Sequence, residues 1–274
     1  PNAFSDKISI ENHQKSADYT IAKMNFSQYE LIFGNILLIL WTIGGGLNFL
    51  DHQLILLNFD AIITGIIFML VFSILSSVIE LPFSLYSTFV LEESFGFNRT
   101  SLKLFITDMI KQFGLSIVIG FPLLYVILWL MQSAGSLWWL YAWSVWFSFS
   151  LIMMWAYPSF IAPLFNKFSE LDNLDLKQRI ENLMTRCGFS SSGILVMDGS
   201  KRSSHGNAYF TGLGKNKRIV FFDNLLDSLD DEEIEAVLAH ELGHFKKKHI
   251  TKRMISMAII TLIGFGVLGY LMQQ

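Results

Sequence analysis

Cysteine is almost missing from this chain: Cys187 is the single one among 274 residues, which excludes an internal disulfide. It follows Leu176, Ile180, Leu183 and Met184 at helical spacing, as a small core residue does, instead of standing out as a reactive thiol. Proline is scarce at 5 residues, and charged side chains make up only 16% against 52% hydrophobic, with a mean hydropathy of +0.45. So little polar surface cannot cover a water-soluble particle of this size. The net charge of -3 comes without a basic stripe apart from membrane-flanking positions, so nucleic acid is not an expected partner. No signal-peptide pattern opens the chain, which begins at Pro1 and not at Met, so a further N-terminal piece is expected.

What the chain does have is long apolar runs rich in Phe, Leu, Ile and Trp, with the charges crowded between them. Five runs, near 31–50, 60–81, 113–132, 138–158 and 254–272, are long enough to cross roughly 30 Å of hydrocarbon as helices. If they alternate, residues 1–30, the loop 82–112 and the region 160–253 share one side. That side holds Lys7, Lys15, Lys23, Arg99, Lys103, Lys111 and every later Lys and Arg, whereas the loops 51–59 and 133–137 hold none. Positive residues stay inside, so the polar region is expected to face the cytoplasm. The sequons at Asn25 and Asn98 are then on the wrong side for glycosylation. Charges within the spans are few, with Asp60 and Glu80 near span ends, so no ion pathway is evident.

The region 160–253 is the one long polar stretch. Its pattern predicts an amphipathic helix over 174–187 closed by Gly188, then strands over Gly193–Met197, Asn207–Leu213 and Arg218–Phe222. A second helix opens near Ser228, carries Asp230, Asp231, Glu232 and Glu233 at its start and ends in Lys246, Lys247 and Lys248, which suits the helix dipole.

That helix contains His240-Glu241-Leu242-Gly243-His244, the HExxH pattern. Residues four apart stack one turn above each other, so both imidazoles can meet one Zn2+ ion, with Glu241 beside them to take a proton from water activated by the metal. His240 and His244 are thus the expected metal ligands and Glu241 the expected catalytic base. His13 and His52 read as ordinary polar residues, and His205, among Ser203, Ser204 and Gly206, as a loop residue. His249 lies five residues after His244, a spacing expected to turn it well away from the metal face. Asp198, Asp223 and Glu170 are candidates for a third ligand by residue type alone, and the missing ligand is expected beyond Gln274.

Several further stretches stand out: His13-Gln14-Lys15-Ser16-Ala17-Asp18-Tyr19-Thr20, Leu81 to Val90 with Glu92, Gly96, Phe97 and Asn98, Pro163-Leu164-Phe165-Asn166-Lys167-Phe168, and Ser200 to Phe210. With the HExxH helix they make the chain resemble the type I CAAX prenyl endopeptidases, integral-membrane gluzincins that trim prenylated protein C-termini, over essentially its whole length. The resemblance implies seven membrane helices around a chamber, one of them before Pro1 and one after Gln274. It also implies a third zinc ligand from a Glu-x-x-x-Asp motif past the end of this chain. It further implies that Asn207, Ala208 and Tyr209 lie on an edge strand that pairs with the substrate backbone, as exposed edges do.

The expected fold is mainly α: a polytopic α-helical membrane protein with a cytoplasmic zincin-like α+β metalloprotease domain. Residues 1–159 would hold the N-terminal segment and four visible membrane helices, 160–253 the zinc domain, and 254–274 a further membrane helix. The expected activity is zinc-dependent cleavage of C-terminal peptides from lipidated, CAAX-type or other membrane-associated proteins, with membrane lipid as the other partner. The setting would be the endoplasmic reticulum or a bacterial inner membrane. A heat-shock-type quality-control metalloprotease is the second enzyme reading, although such proteins have fewer spans and lack the Lys201 to Phe210 pattern. A channel, transporter or scaffold with structural zinc is the non-enzymatic one.

Overall fold

A computed structural model describes residues 9–189, 193–211 and 218–273. Lys7 and the predicted end of a strand at Leu213 lie outside them. The chain divides into two compact units, residues 1–98 and 99–274.

In the first unit, helix α1 (Ile10–Trp41) starts at Ser9, whose Oγ accepts the Asn12 N–H at 3.2 Å. The apolar run expected as one span over 31–50 is broken: the chain turns at Thr42–Gly45 and resumes as α2 (Gly46–Ile55), bent by 49°. Glycine is what permits this turn. Gly45 has φ +79°, and a Cβ at Gly44 would sit 2.6 Å from the Leu40 carbonyl oxygen. Helix α3 (Ala61–Tyr86) is capped by Asp60, which accepts the Ile62 and Ile63 N–H groups, and it runs through Pro82 into a π-helical stretch, Ser87–Glu92. There Glu92 accepts a 2.6 Å hydrogen bond from the Tyr19 hydroxyl, and Phe95 and Phe97 pack edge-on against the Tyr19 ring. The His13 to Thr20 and Leu81 to Asn98 stretches that caught the eye in sequence thus meet in one polar and aromatic knot.

In the second unit, α4 (Leu102–Ser133), α5 (Trp138–Ala156) and α10 (His249–Leu271) correspond to the other three predicted spans. Helices α4 and α10 are long and apolar enough to cross a membrane, as are α5 with its flanking turns (Gly135–Phe165) and α3 with its π extension. Helix α10 lies close against α5. Gly269 admits the Trp139 ring where a Cβ would be only 2.6 Å away, and Trp143 Nε1 donates to Thr261 Oγ1 at 3.1 Å. Helix α5 continues through a π turn, Tyr157–Ile161, into the short α6 (Ala162–Phe165).

Between α6 and α10 sits a small α+β layer. Strands β1 (Phe168–Glu170), β2 (Ile194–Met197), β3 (Ala208–Thr211) and β4 (Arg218–Phe222) form a sheet in the order β1-β2-β4-β3. Strands β2 and β4 are parallel and the outer strands antiparallel to them. Three consecutive residues of β4, Ile219, Val220 and Phe221, are buried, as expected for a strand covered on both faces. One face packs against Leu176, Ile180 and Met184 of α7 (Leu174–Arg186) and Ile234, Leu238 and Leu242 of α9 (Asp231–Lys246). Helix α8 (Asp223–Ser228) leads from β4 toward α9.

Arg202 fastens this layer to the membrane helices. Its guanidinium pairs with Asp108 of α4 at 2.8 Å and donates to Asn166 Oδ1 and the Phe165 carbonyl, while its own carbonyl accepts from Arg99 N–H and Thr100 Oγ1. Among the described residues, buried Asp108 Oδ1 has no hydrogen-bond partner, so the charge is compensated through Oδ2 alone. Removing one partner of a largely buried pair strands the other charge. Arg202→Met is therefore expected to destabilise the protein by about 3 kcal/mol, read as a lowered unfolding midpoint in detergent, and Asp108→Asn in the same background is expected to recover part of the loss. An unchanged midpoint in Arg202→Met would contradict this role.

Candidate metal centre

Helix α9 is set rigidly before any functional residue appears on it. Asp230 caps its start by accepting the Glu232 and Glu233 N–H groups, and the Glu233 carboxylate accepts the Asp230 N–H in return at 3.1 Å, a complete capping box. The start near Ser228 inferred from sequence is thus shifted, because α8 ends there and Asp230 supplies the cap. Ile234, Leu238 and Leu242, at steps of four, are buried against the sheet and α7. The same period leaves His240 and His244 exposed on the other side, with Glu241 half-buried at the shoulder between.

The two rings are brought together. His240 Nε2 and His244 Nε2 stand 3.2 Å apart, with ring centroids at 4.9 Å. Two nitrogens bound to one tetrahedral zinc at 2.0–2.1 Å would be separated by roughly 3.3 Å. Neutral imidazole nitrogens are also the donor type zinc prefers, so the pair fits two legs of such a site. No group of three or more His, Cys, Asp or Glu side chains able to hold a metal occurs among the described residues. The acids proposed by type are engaged elsewhere. Glu170 pairs with Lys177 at 3.7 Å, Asp198 accepts the Lys167 N–H at 2.8 Å and pairs with Lys201, and Asp223 accepts from Ser200 through both its N–H and its hydroxyl.

One residue reads differently from its sequence expectation. His249 Nδ1 lies 2.8 Å from His244 Nδ1. The helical-wheel argument that turned it away assumed a continuous helix, but α9 ends at Lys246, Lys248 takes a left-handed conformation with φ +55°, and His249 begins α10. The Lys246-Lys247-Lys248 run suits a last helical turn, but lysine is a good helix former and no residue there announces the left-handed turn.

Among the described residues, strand β3 lies at the sheet edge and pairs with β4 alone. Phe222 N–H donates to the Asn207 carbonyl, which makes Asn207, Tyr209 and Thr211 the residues whose main-chain groups face β4 and leaves those of Ala208 and Phe210 pointing outward. The Asn207 side chain accepts the outward Ala208 N–H at 2.8 Å. Tyr209 turns its ring under the sheet, beside Met197 and Phe222; burial first, and then the neighbouring Tyr157, push its phenol above the ordinary range. His205 is held by its backbone, with its N–H on Ser203 Oγ and its carbonyl accepting from Asn224, as suits a loop residue.

Comparison with known proteins covers nearly the whole chain. The family model for the CAAX prenyl protease N-terminal region, with five membrane helices, matches residues 1–167, and that for peptidase family M48 matches residues 170–274. The chain is 39% identical to a CAAX prenyl protease 1 homolog of Arabidopsis thaliana, over 98% of this chain and 65% of the relative. It is 40% identical to CAAX prenyl protease 1 of Saccharomyces cerevisiae, over 97% of this chain and 61% of the relative. The crystal structure of S. mikatae Ste24p superimposes with a TM-score of 0.90 at 39% identity, covering 97% of this chain and 63% of that one. The chain therefore spans a little under two thirds of the length of these relatives.

Burial raises the Asp223 carboxyl, but hydrogen bonds from the Ser200 hydroxyl and from the Ser200 and Asn224 N–H groups outweigh it and hold the group below the usual carboxylate range. A carboxylate depressed in the folded state contributes stability above its unfolded pKa of about 3.9 and loses it as pH falls through the lower folded value. Asp223→Asn is expected to cost about 1 kcal/mol at pH 7, with the gap to wild type closing in melts near pH 3. A gap independent of pH would assign the loss to packing.

Proposed function

Because the chain belongs to the CAAX prenyl protease family, in peptidase family M48, we propose that it serves a zinc-dependent membrane endopeptidase in which His240 and His244 hold the ion and Glu241 is the catalytic base. The observation that carries this reading is the 3.2 Å separation of two imidazole Nε2 atoms on the exposed face of a capped helix, with a carboxylate one residue along. The chain is a mainly α-helical, multi-pass membrane protein, and a peptidase centre carried on such a frame meets substrates at the membrane surface.

When bound, zinc supplies Lewis acidity, polarising the scissile carbonyl and making water at the site more acidic. The rest falls to the side chains. Glu241 accepts a proton from water as the water oxygen adds to the scissile carbonyl carbon, and it delivers that proton to the amide nitrogen as the C–N bond breaks. His240 and His244 keep their Nε2 lone pairs for the metal, and the remaining protein ligand comes from outside the described residues.

The proposed substrates are proteins with a lipid-modified, CAAX-type C-terminus, in line with the names of the relatives. Edge strand β3 supports an extended peptide through the outward carbonyls of Ala208 and Phe210, with the Asn207 side chain leaving the Ala208 N–H when a peptide arrives. In this reading residues 1–159 carry the N-terminal segment and the first membrane helices, 160–253 the peptidase domain, and 254–274 the next membrane helix. The absence of Lys and Arg from 133–137, against their abundance over 160–253, favours a cytoplasmic peptidase domain.

Glu241→Gln in the complete protein is expected to lower cleavage of a farnesylated peptide by at least about 10²-fold while bound zinc, measured by elemental analysis, stays at the wild-type level. Cleavage at the wild-type rate would overturn the assignment. An unlipidated membrane protein cut as fast as the farnesylated peptide would favour a quality-control protease. Orientation is tested in a Cys187→Ser background carrying either Lys247→Cys or Ser136→Cys. A membrane-impermeant maleimide added to the cytoplasmic side of sealed vesicles is expected to label the first and spare the second; the reverse pattern would refute the orientation.

A further inference from the structure

We infer that His249 is a positioning residue for the metal centre: its imidazole takes the Nδ1 proton of His244 as a hydrogen bond, which fixes the His244 ring and leaves Nε2 unprotonated toward the metal. This rests on the metal reading above and adds to it a group that the HExxH pattern does not contain. The observations are geometric. His244 presents its two nitrogens to two different partners, Nε2 to His240 Nε2 at 3.2 Å and Nδ1 to His249 Nδ1 at 2.8 Å, the shorter of the two separations. The His244 and His249 rings lie at 72° with centroids 4.9 Å apart, so each nitrogen approaches the other near its ring plane and not over a face. An imidazole that donates from Nδ1 is the Nε2-unprotonated tautomer, and that tautomer is the one a metal can use.

The backbone pays for this arrangement. A helix continued through Lys247 and Lys248 would carry His249 around the far side of α9. Instead the Lys247 N–H closes on the Gly243 carbonyl, and Lys248 adopts φ +55° and ψ +36°, a left-handed conformation that costs a lysine more than a glycine. That single residue breaks the helix and brings the first residue of α10 beside the second histidine of the pair. Lys248 is one of only two non-glycine residues with positive φ among the described residues, and the other, Asn58, is of a type that tolerates the conformation. The consequence is that the membrane helix α10 begins with a side chain that touches a proposed metal ligand. A shift at the start of α10 is thereby felt at His244.

The test uses the full-length protein in detergent, with zinc and, separately, cobalt as the probes. His249→Ala is expected to weaken zinc affinity by about 10- to 100-fold in chelator competition and to change the visible absorption of the cobalt-substituted protein, because the His244 ring is no longer held. His249→Gln, whose side-chain oxygen can accept the same proton, is expected to keep zinc affinity within a few-fold of wild type. If His249→Ala binds zinc as wild type does and leaves the cobalt spectrum unchanged, His249 does not position His244. If both His249 variants lose zinc equally while their melting temperatures fall, the residue is structural and the inference is overturned. A wild-type protein that binds no zinc would sink the metal reading itself, a result distinct from either of these.

Discussion

The period of the α-helix is the constraint on which this site depends. Stepping by four through α9 buries Ile234, Leu238 and Leu242, and the same step, entered from His240, stacks His240 and His244 on the face those leucines leave open. The packing that orients the helix and the geometry that aligns the imidazoles are therefore one fact. The capping box at Asp230 and Glu233 fixes where the helix begins, and the sheet under Leu238 fixes its rotation. With both set, His240 and His244 leave the helix one turn apart on one face, where their Nε2 atoms stand 3.2 Å apart.

The centre is also bound to the membrane helices of its own unit at two places. Arg202 ties the loop before β3 to α4 and to the end of α6. The turn at Lys248 joins α9 directly to α10 with His249 at the joint. A metal centre anchored in this way stays beside the membrane helices of its unit, which suits the proposed lipid-held substrates. The edge strand β3 follows the Arg202 loop by only a few residues, so the same anchor that positions the layer positions the strand proposed to receive the peptide.

Much of the fold could be read from the residues, and the limits of that reading have physical causes. Helix 174–187 and strand Arg218–Phe222 were legible because a helical period and a dense β-branched and aromatic run are local signals, and the structure has α7 at Leu174–Arg186 and β4 at Arg218–Phe222. Hydropathy found the apolar runs but could not see the break at Thr42–Gly45, since three glycines in an apolar stretch barely alter its mean. Strand β1 was missed because Phe168–Glu170 is three residues long and owes its existence to pairing with β2, a non-local contact. The strand order β1-β2-β4-β3 lies beyond any local pattern. At the candidate site, the approach of His240 to His244 was legible from spacing, whereas the place of His249 was misjudged because one left-handed residue resets the angle at which everything after it emerges.

The central claim is that the two stacked imidazoles grip a single zinc ion. X-ray absorption at the zinc edge of the purified full-length protein examines that bond directly. Expected are one zinc per chain and a first shell of nitrogen and oxygen at about 2.0–2.1 Å with the outer-shell scattering of two imidazoles. A shell without imidazole scattering, or one dominated by sulfur at about 2.3 Å, would contradict it.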